Sequence, residues 1–192
     1  MENFIQPFPI FIYQDLIKKP IFNQIKKEVY DFSDNNKEKF KSNWGGCDTL
    51  STLRVPRDKN IKSKLLEDQI KLHIENYYNL FHFEDYLNLS LNNIWINIAK
   101  TNDYQETHNH GRALFSGVLY INVDENSGDF QLINPLSTEV GIMPYTKMFD
   151  YSYTIIPKNG LIVLFPSWMN HRVLSNKSKI DRISVSFNII SI

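Results

Sequence analysis

A single cysteine, Cys47, leaves nothing from which to build an intrachain disulfide and excludes a cysteine-rich zinc module. Such usage suits a reducing compartment, so a cytoplasmic protein is expected. No eighteen apolar residues run together, so no segment reads as a membrane-spanning helix. The opening "MENFIQPFPIFIYQDL" is broken by Glu2, Pro7, Pro9 and Asp15 with no basic stretch ahead of it, and does not read as a signal peptide. Net charge is missing too. The 21 Lys+Arg balance the 21 Asp+Glu, so no global field gathers nucleic acid or an anionic membrane, and neither is expected as a partner. There is no internal repeat and no low-complexity linker. What remains is a globular composition, 42% hydrophobic and 22% charged over 192 residues, which suffices for one substantial core. A single domain spanning 1–192 is expected.

The chain changes character part-way along. In "KKPIFNQIKKEVYDFSD", Phe22, Ile25, Val29 and Phe32 recur at helical spacing behind Pro20, a residue tolerated at a helix start. In "NIKSKLLEDQIKLHIENYYNLF", Leu66, Ile70, His73, Tyr77 and Phe81 form a second stripe, with Lys and Glu on the opposite face. Between them, Lys37 to Asn60 reads as a loop around "SNWGGCDTL". Beyond residue 89 come "LSLNNIWINIAK", "LFSGVLYINV", "GDFQLIN", "YTIIP", "GLIVLFPS" and "RISVSFNII". All are short, rich in β-branched and aromatic residues, and bounded by turn formers. They predict an all-β core over 90–192, an antiparallel sandwich or barrel, with a mainly helical N-terminal elaboration, 1–89, packed on an outer sheet face.

Histidine is scarce, five residues in all. Two of them, His108 and His110, sit one residue apart just ahead of a predicted strand. In an extended segment they share a side and can reach one point, which suggests a metal. A third, His171 in "FPSWMNHRVLSN", lies where an apolar strand gives way to a polar turn, and it is the natural third ligand. His73 on its helical stripe and His82 beyond it read as packing or surface residues, and Cys47 as a small hydrophobe. Eleven residues after His171, "DRISVSFNII" sets Arg182, Ser184, Ser186 and Asn188 on one face and Ile183, Val185, Phe187 and Ile189 on the other. With the apolar face against the helices, Arg182 points into the barrel. A guanidinium is tolerated there only with an anionic partner, which a bound carboxylate would supply.

An H-x-H pair, a later histidine and an Arg-x-Ser about ten residues on resemble the iron(II)- and 2-oxoglutarate-dependent oxygenases. More closely, "HNHGRALFSGVLYIN", "NSGDFQLINP" and "GLIVLFPSWMNHRVLSN…RISVSFN" are similar to a bacterial and phage branch of that superfamily, over roughly residues 90–190. The "SNWGGCDTL" loop shares the likeness. The resemblance implies a double-stranded β-helix of the jelly-roll or cupin-like kind with flanking helices. It also implies an oxygenase that uses iron(II) and 2-oxoglutarate, couples decarboxylation to succinate with oxidation of a substrate C–H bond, and requires no acid–base residue. Carried over residue by residue, it makes His108 and His171 metal ligands. Arg182 becomes the partner of the cosubstrate's distal carboxylate, with Ser184 and Tyr120 beside it. Asn97, Tyr104 and Trp168 are named as walls of the substrate pocket from strand position alone.

His110 departs from the pattern, because most of the superfamily has a carboxylate there, completing two histidines and one acid. Direct ligation by His110, a water in the third position, or a carboxylate such as Glu106 or Asp124 swinging in are the three options. We adopt the first, since H-x-H spacing mimics H-x-D. A neutral third ligand makes the protein-bound iron one unit more positive, which favours iron(II) over its oxidised form. Two rivals stand beside the oxygenase. One is a cupin-like three-histidine metal dioxygenase that needs no 2-oxo acid; the other is a metal-binding module without turnover. Peptide, nucleobase and small metabolite are all open as prime substrate, and a homodimer through the N-terminal helices is open too.

Overall fold

The computed structural model describes residues 10–42, 49–81, 87–136 and 150–192. Cys47, His82 and most of the "SNWGGCDTL" loop lie outside them. Strand β1 (Tyr13–Leu16) leads into helix α1 (Lys19–Asn35), and helix α2 (Lys64–Tyr78) follows after the short strands β2 (Lys41–Ser42) and β3 (Leu50–Ser51). Eight further strands follow among the described residues: β4 (Leu89–Ala99), β5 (Gln105–His108), β6 (Phe115–Asn122), β7 (Phe130–Ile133), β8 (Ser152–Ile155), β9 (Leu161–Pro166), β10 (His171–Val173) and β11 (Arg182–Ser191). The expected loop from Lys37 to Asn60 is therefore more structured than its pattern suggests. Its described residues hold two 3-10 turns, Lys37–Lys39 and Arg57–Lys59, and two strands of two residues each, too short to carry any periodicity.

The strands form two sheets. A major sheet runs β1-β9-β6-β11-β4-β3-β2 and a minor one β5-β10-β7-β8. From β4 to β11 the chain passes between the two sheets so that antiparallel pairs stack face to face, which makes a double-stranded β-helix. Side-chain alternation then decides what each face holds. Ile94 and Ile96 of β4, Phe115, Leu119 and Ile121 of β6, Ile162 and Leu164 of β9, and Ile183, Val185, Phe187 and Ile189 of β11 join one apolar cluster. Phe22, Ile25 and Val29 of α1 and Leu66, Ile70, Ile74 and Tyr77 of α2 close that cluster from outside. Each apolar side chain so buried is worth roughly 1.5–3 kcal/mol against remaining exposed. The N-terminal helices are thereby fixed to the back of the major sheet. Gly117 makes this fit possible, because a Cβ there would lie 2.3 Å from the Phe187 ring and 2.7 Å from Leu164.

Helix α2 starts on Ser63, whose hydroxyl accepts from the Leu66 amide at 3.0 Å. His73 faces inward from its middle, and its Nδ1 is 2.9 Å from the Tyr13 hydroxyl. No helix among the described residues is long and apolar enough to cross a membrane.

Candidate metal and cosubstrate site

The opposite parity of the same strands faces the space between the sheets. Trp95 and Asn97 of β4, Ser116, Val118 and Tyr120 of β6, Arg182, Ser184 and Ser186 of β11, and Phe165 of β9 line a cavity whose other wall carries His108, Phe130, His171 and Val173. The pairing of β5 with β10 sets His171 directly opposite His108. His110 lies beyond the end of β5, so it is not held by strand alternation. Its backbone N–H instead donates to the Ser167 carbonyl at 2.8 Å, drawing the segment against the turn between β9 and β10. The three rings converge, with centroids 4.2 Å apart for His108 and His171, 5.2 Å for His108 and His110, and 5.1 Å for His110 and His171. One nitrogen from each falls within 4.8 Å of the others. Trp95 backs the group, its ring stacked on His110 at 5.7 Å.

Hydrogen bonds orient two of the imidazoles. His108 Nδ1 lies 2.8 Å from the Glu106 carbonyl, and His171 Nδ1 lies 3.0 Å from that of Met169. A carbonyl can only accept, so each Nδ1 carries the proton and each Nε2 is the unprotonated ring nitrogen. Burial then keeps the rings neutral. It lowers the pKa of His108, that of His110 to about 4 with help from His108, and that of His171 to about 3. Three neutral imidazoles converging on one point fit a divalent transition-metal ion, and carbonyl-bound Nδ1 groups are the usual outer support of such ligands. Among the described residues, this group of ligating atoms includes no carboxylate. Asp124 is committed elsewhere, accepting from the backbone of Asn126 and from the hydroxyls of Ser127 and Ser178. Glu106 is exposed.

Deeper along the major sheet sits Arg182, 5% exposed. Its Nη1 donates to the carbonyls of Ser127 at 2.7 Å and Leu174 at 3.0 Å. Ser184, one inward position along, pairs across the sheet with Tyr120. The register between β11 and β6 slips at Ile183/Ser184, a bulge beside the arginine of the kind that re-aims side chains near sites. Burial holds the Tyr120 hydroxyl protonated, raising its pKa, while the Arg182 charge pulls the other way. Gly128 could not have been picked from the sequence. It adopts φ +79°, and a Cβ on it would meet the Leu174 carbonyl at 2.2 Å and Arg182 Nη1 at 2.9 Å. The loop that cradles the guanidinium thus needs glycine there.

Of the nine residues named from the sequence, seven line this one cavity: His108, His110, His171, Tyr120, Arg182, Ser184 and Asn97. Tyr104 and Trp168 do not line it. Trp168 stands on the turn between β9 and β10, 52% exposed, and Tyr104 precedes β5 after a turn at Asn102, whose φ of 74° breaks the alternation on which its placement rested.

The profile of a family described as "Putative 2OG-Fe(II) oxygenase" matches residues 93–188, half of the chain and nearly all of the β-helix. The chain belongs to the 2OG-Fe(II) oxygenase family. Among curated proteins none matches it. Among solved structures, a prolyl-4-hydroxylase from Pseudomonas putida superposes with a TM-score of 0.61 at 15% identity, over 93% of this chain and 92% of that one. HygX from Streptomyces hygroscopicus, with nickel, 2-oxoglutarate and hygromycin B bound, superposes at 0.59 and 10% identity, over 94% and 82%. A prolyl hydroxylase from Trichoplax adhaerens in complex with a hypoxia inducible factor peptide gives 0.63 and 10%, over 94% and 83%. At such identities the likeness is one of fold, and it confirms the double-stranded β-helix with flanking helices. As a member of the family the protein is an iron(II)- and 2-oxoglutarate-dependent oxygenase.

Proposed function

We propose that His108, His110 and His171 hold the iron and that Arg182, Ser184 and Tyr120 bind the distal carboxylate of 2-oxoglutarate. The observation that carries this reading is one cavity with three neutral, converging imidazoles on one side and a buried arginine on the other. Iron(II), when bound with the 2-oxo acid, supplies activation of dioxygen, coupling decarboxylation to succinate with oxidation of a substrate C–H bond. The chain's own part is positional. His108 and His171 each present an unprotonated Nε2, because the Glu106 and Met169 carbonyls hold the opposite protons. Arg182 provides the charge that a carboxylate needs in a buried place, and the protonated Tyr120 hydroxyl and Ser184 add donors. Trp95 blocks one side of His110 and keeps that ring from swinging away.

The third imidazole gives this site one negative charge fewer than two histidines and an acid would. That favours the iron(II) state, and it strengthens the pull on an anionic cosubstrate. The acyclic dianion 2-oxoglutarate then adds the charge that the protein withholds. Peptides, nucleobases and small metabolites remain as classes of prime substrate; the outer rim, where Trp168 stands exposed, is where they would be met.

The reading is tested by uncoupled turnover. Protein supplied with iron(II), 2-oxoglutarate and dioxygen is expected to release succinate. Arg182→Ala should raise the concentration of 2-oxoglutarate needed by roughly 100-fold, the scale of losing a charge-assisted bidentate contact, with metal uptake retained. Loss of metal binding in that variant would refute the role given to Arg182. A cupin-like three-histidine dioxygenase would instead consume dioxygen with no succinate formed.

A further inference from the structure

Among the described residues, two buried polar atoms in the cavity have no hydrogen-bond partner: Thr49 Oγ1 and Asn97 Oδ1. Thr49 is 3% exposed and precedes β3, whose Leu50 packs on the helix cluster and pairs with Ile98. The alternate parity turns Thr49 inward, and it lines the same cavity as Arg182. Asn97 lies opposite Ser184 on the neighbouring strand, and Ser184 lies opposite Tyr120. Asn97, Ser184 and Tyr120 thus stand in one row across β4, β11 and β6, one step along the sheet from Arg182. Trp95, two residues before Asn97, stacks on His110 at the metal end. The row therefore lies between the histidines and the arginine, where the carbon chain and distal carboxylate of the cosubstrate must run.

An unpaired buried polar group costs about 1–3 kcal/mol, so a cavity lined by two such groups has a use for them. We infer that Thr49 and Asn97 donate hydrogen bonds to the 2-oxoglutarate of the site proposed above, and that Thr49, at the edge of β3, thereby completes the cosubstrate pocket. The polarity follows from the ligand. With both carboxylates ionised and a keto oxygen between, it offers acceptors alone. Thr49 meets it with a hydroxyl proton. Asn97 meets it with Nδ2 once the amide turns over, a half-turn that leaves its shape unchanged. Ser186 allows that turn, because its Oγ, 3.0 Å from the Asn97 amide, can accept from Nδ2 or donate to Oδ1. The inference rests on the reading of Arg182 as the cosubstrate's anchor, and it adds a contribution from outside the β-helix, from a stretch that the family profile does not reach.

The test is calorimetric titration of 2-oxoglutarate into the full-length protein loaded with manganese(II), which reports affinity without turnover. Thr49→Val should weaken binding roughly tenfold, while Thr49→Ser, which keeps the hydroxyl, should bind within about threefold of the parent. Asn97→Asp should weaken it more than tenfold, since a carboxylate accepts only and repels the ligand. Retained affinity in both Thr49→Val and Asn97→Asp would overturn the inference, and so would equal loss in Thr49→Ser and Thr49→Val, which marks a packing role. Manganese affinity and melting temperature, measured alongside, identify any variant that has lost its fold; Asn97→Ala then takes its place. Arg182→Ala in the same titration separates the two layers. If it loses binding while the others keep it, this inference alone fails; if it too binds normally, the reading of the site falls.

Discussion

The two faces of the major sheet are made from the same strands and do opposite things. On β11, Ile183, Val185, Phe187 and Ile189 enter the cluster shared with α1 and α2, while Arg182, Ser184 and Ser186 line the cavity with the three histidines. Adjacent residues thus divide stability from chemistry. The outer face gains from burying apolar area and is closed by helices. The inner face is closed by a second sheet and keeps polar groups around a cavity. Substitutions on the two faces should therefore move different observables.

The largest effect is expected on the inner face. His171→Ala should lower iron(II) affinity by more than about 100-fold, measured by competition with a chelator, while the protein still melts cooperatively. Phe187→Ala, one step to the outer face, should do the reverse. It should cost roughly 3–5 kcal/mol, on the order of 10 °C in Tm, with metal affinity of the folded protein unchanged. Gly128→Ala joins the two faces of the comparison, because the added Cβ meets both backbone and Arg182. It should lose about 1–3 kcal/mol and also weaken 2-oxoglutarate, read by melting and titration together. The smallest effect belongs to His73 on the helix side. Burial lowers its pKa, with Asp15 opposing. The unfolded chain then binds the proton more readily, so His73 costs stability as pH falls below the unfolded value near about 6.5. His73→Gln should flatten that acid-side decline in Tm relative to the parent.

Much of this division is written in the alternation. "RISVSFNII" announces a polar and an apolar face, and the stripes of α1 and α2 announce what covers the latter. That the H-x-H pair and the histidine after "FPSWMN" converge could be expected because few residues compete in a chain with five histidines. The strands that carry two of them, β5 and β10, could not, since four and three residues are too few for a period. Thr49 and Gly128 were invisible for a different reason. Their partners, the Arg182 cavity and the Leu174 carbonyl, lie far along the chain, and nothing local marks them. Tyr104 and Trp168 show the limit of counting parity through a turn: alternation holds only while the backbone stays extended.

Three imidazoles and a buried arginine are proposed to form one site for iron(II) and a 2-oxo acid. Its most direct test is an anaerobic titration of both into the apo protein, followed by the visible charge-transfer band of a 2-oxo acid chelated to iron(II). The band is expected to appear with both present, to be lost in His171→Ala, and to need far more 2-oxoglutarate in Arg182→Ala. Metal uptake with no band at any concentration of 2-oxoglutarate would contradict the proposed site.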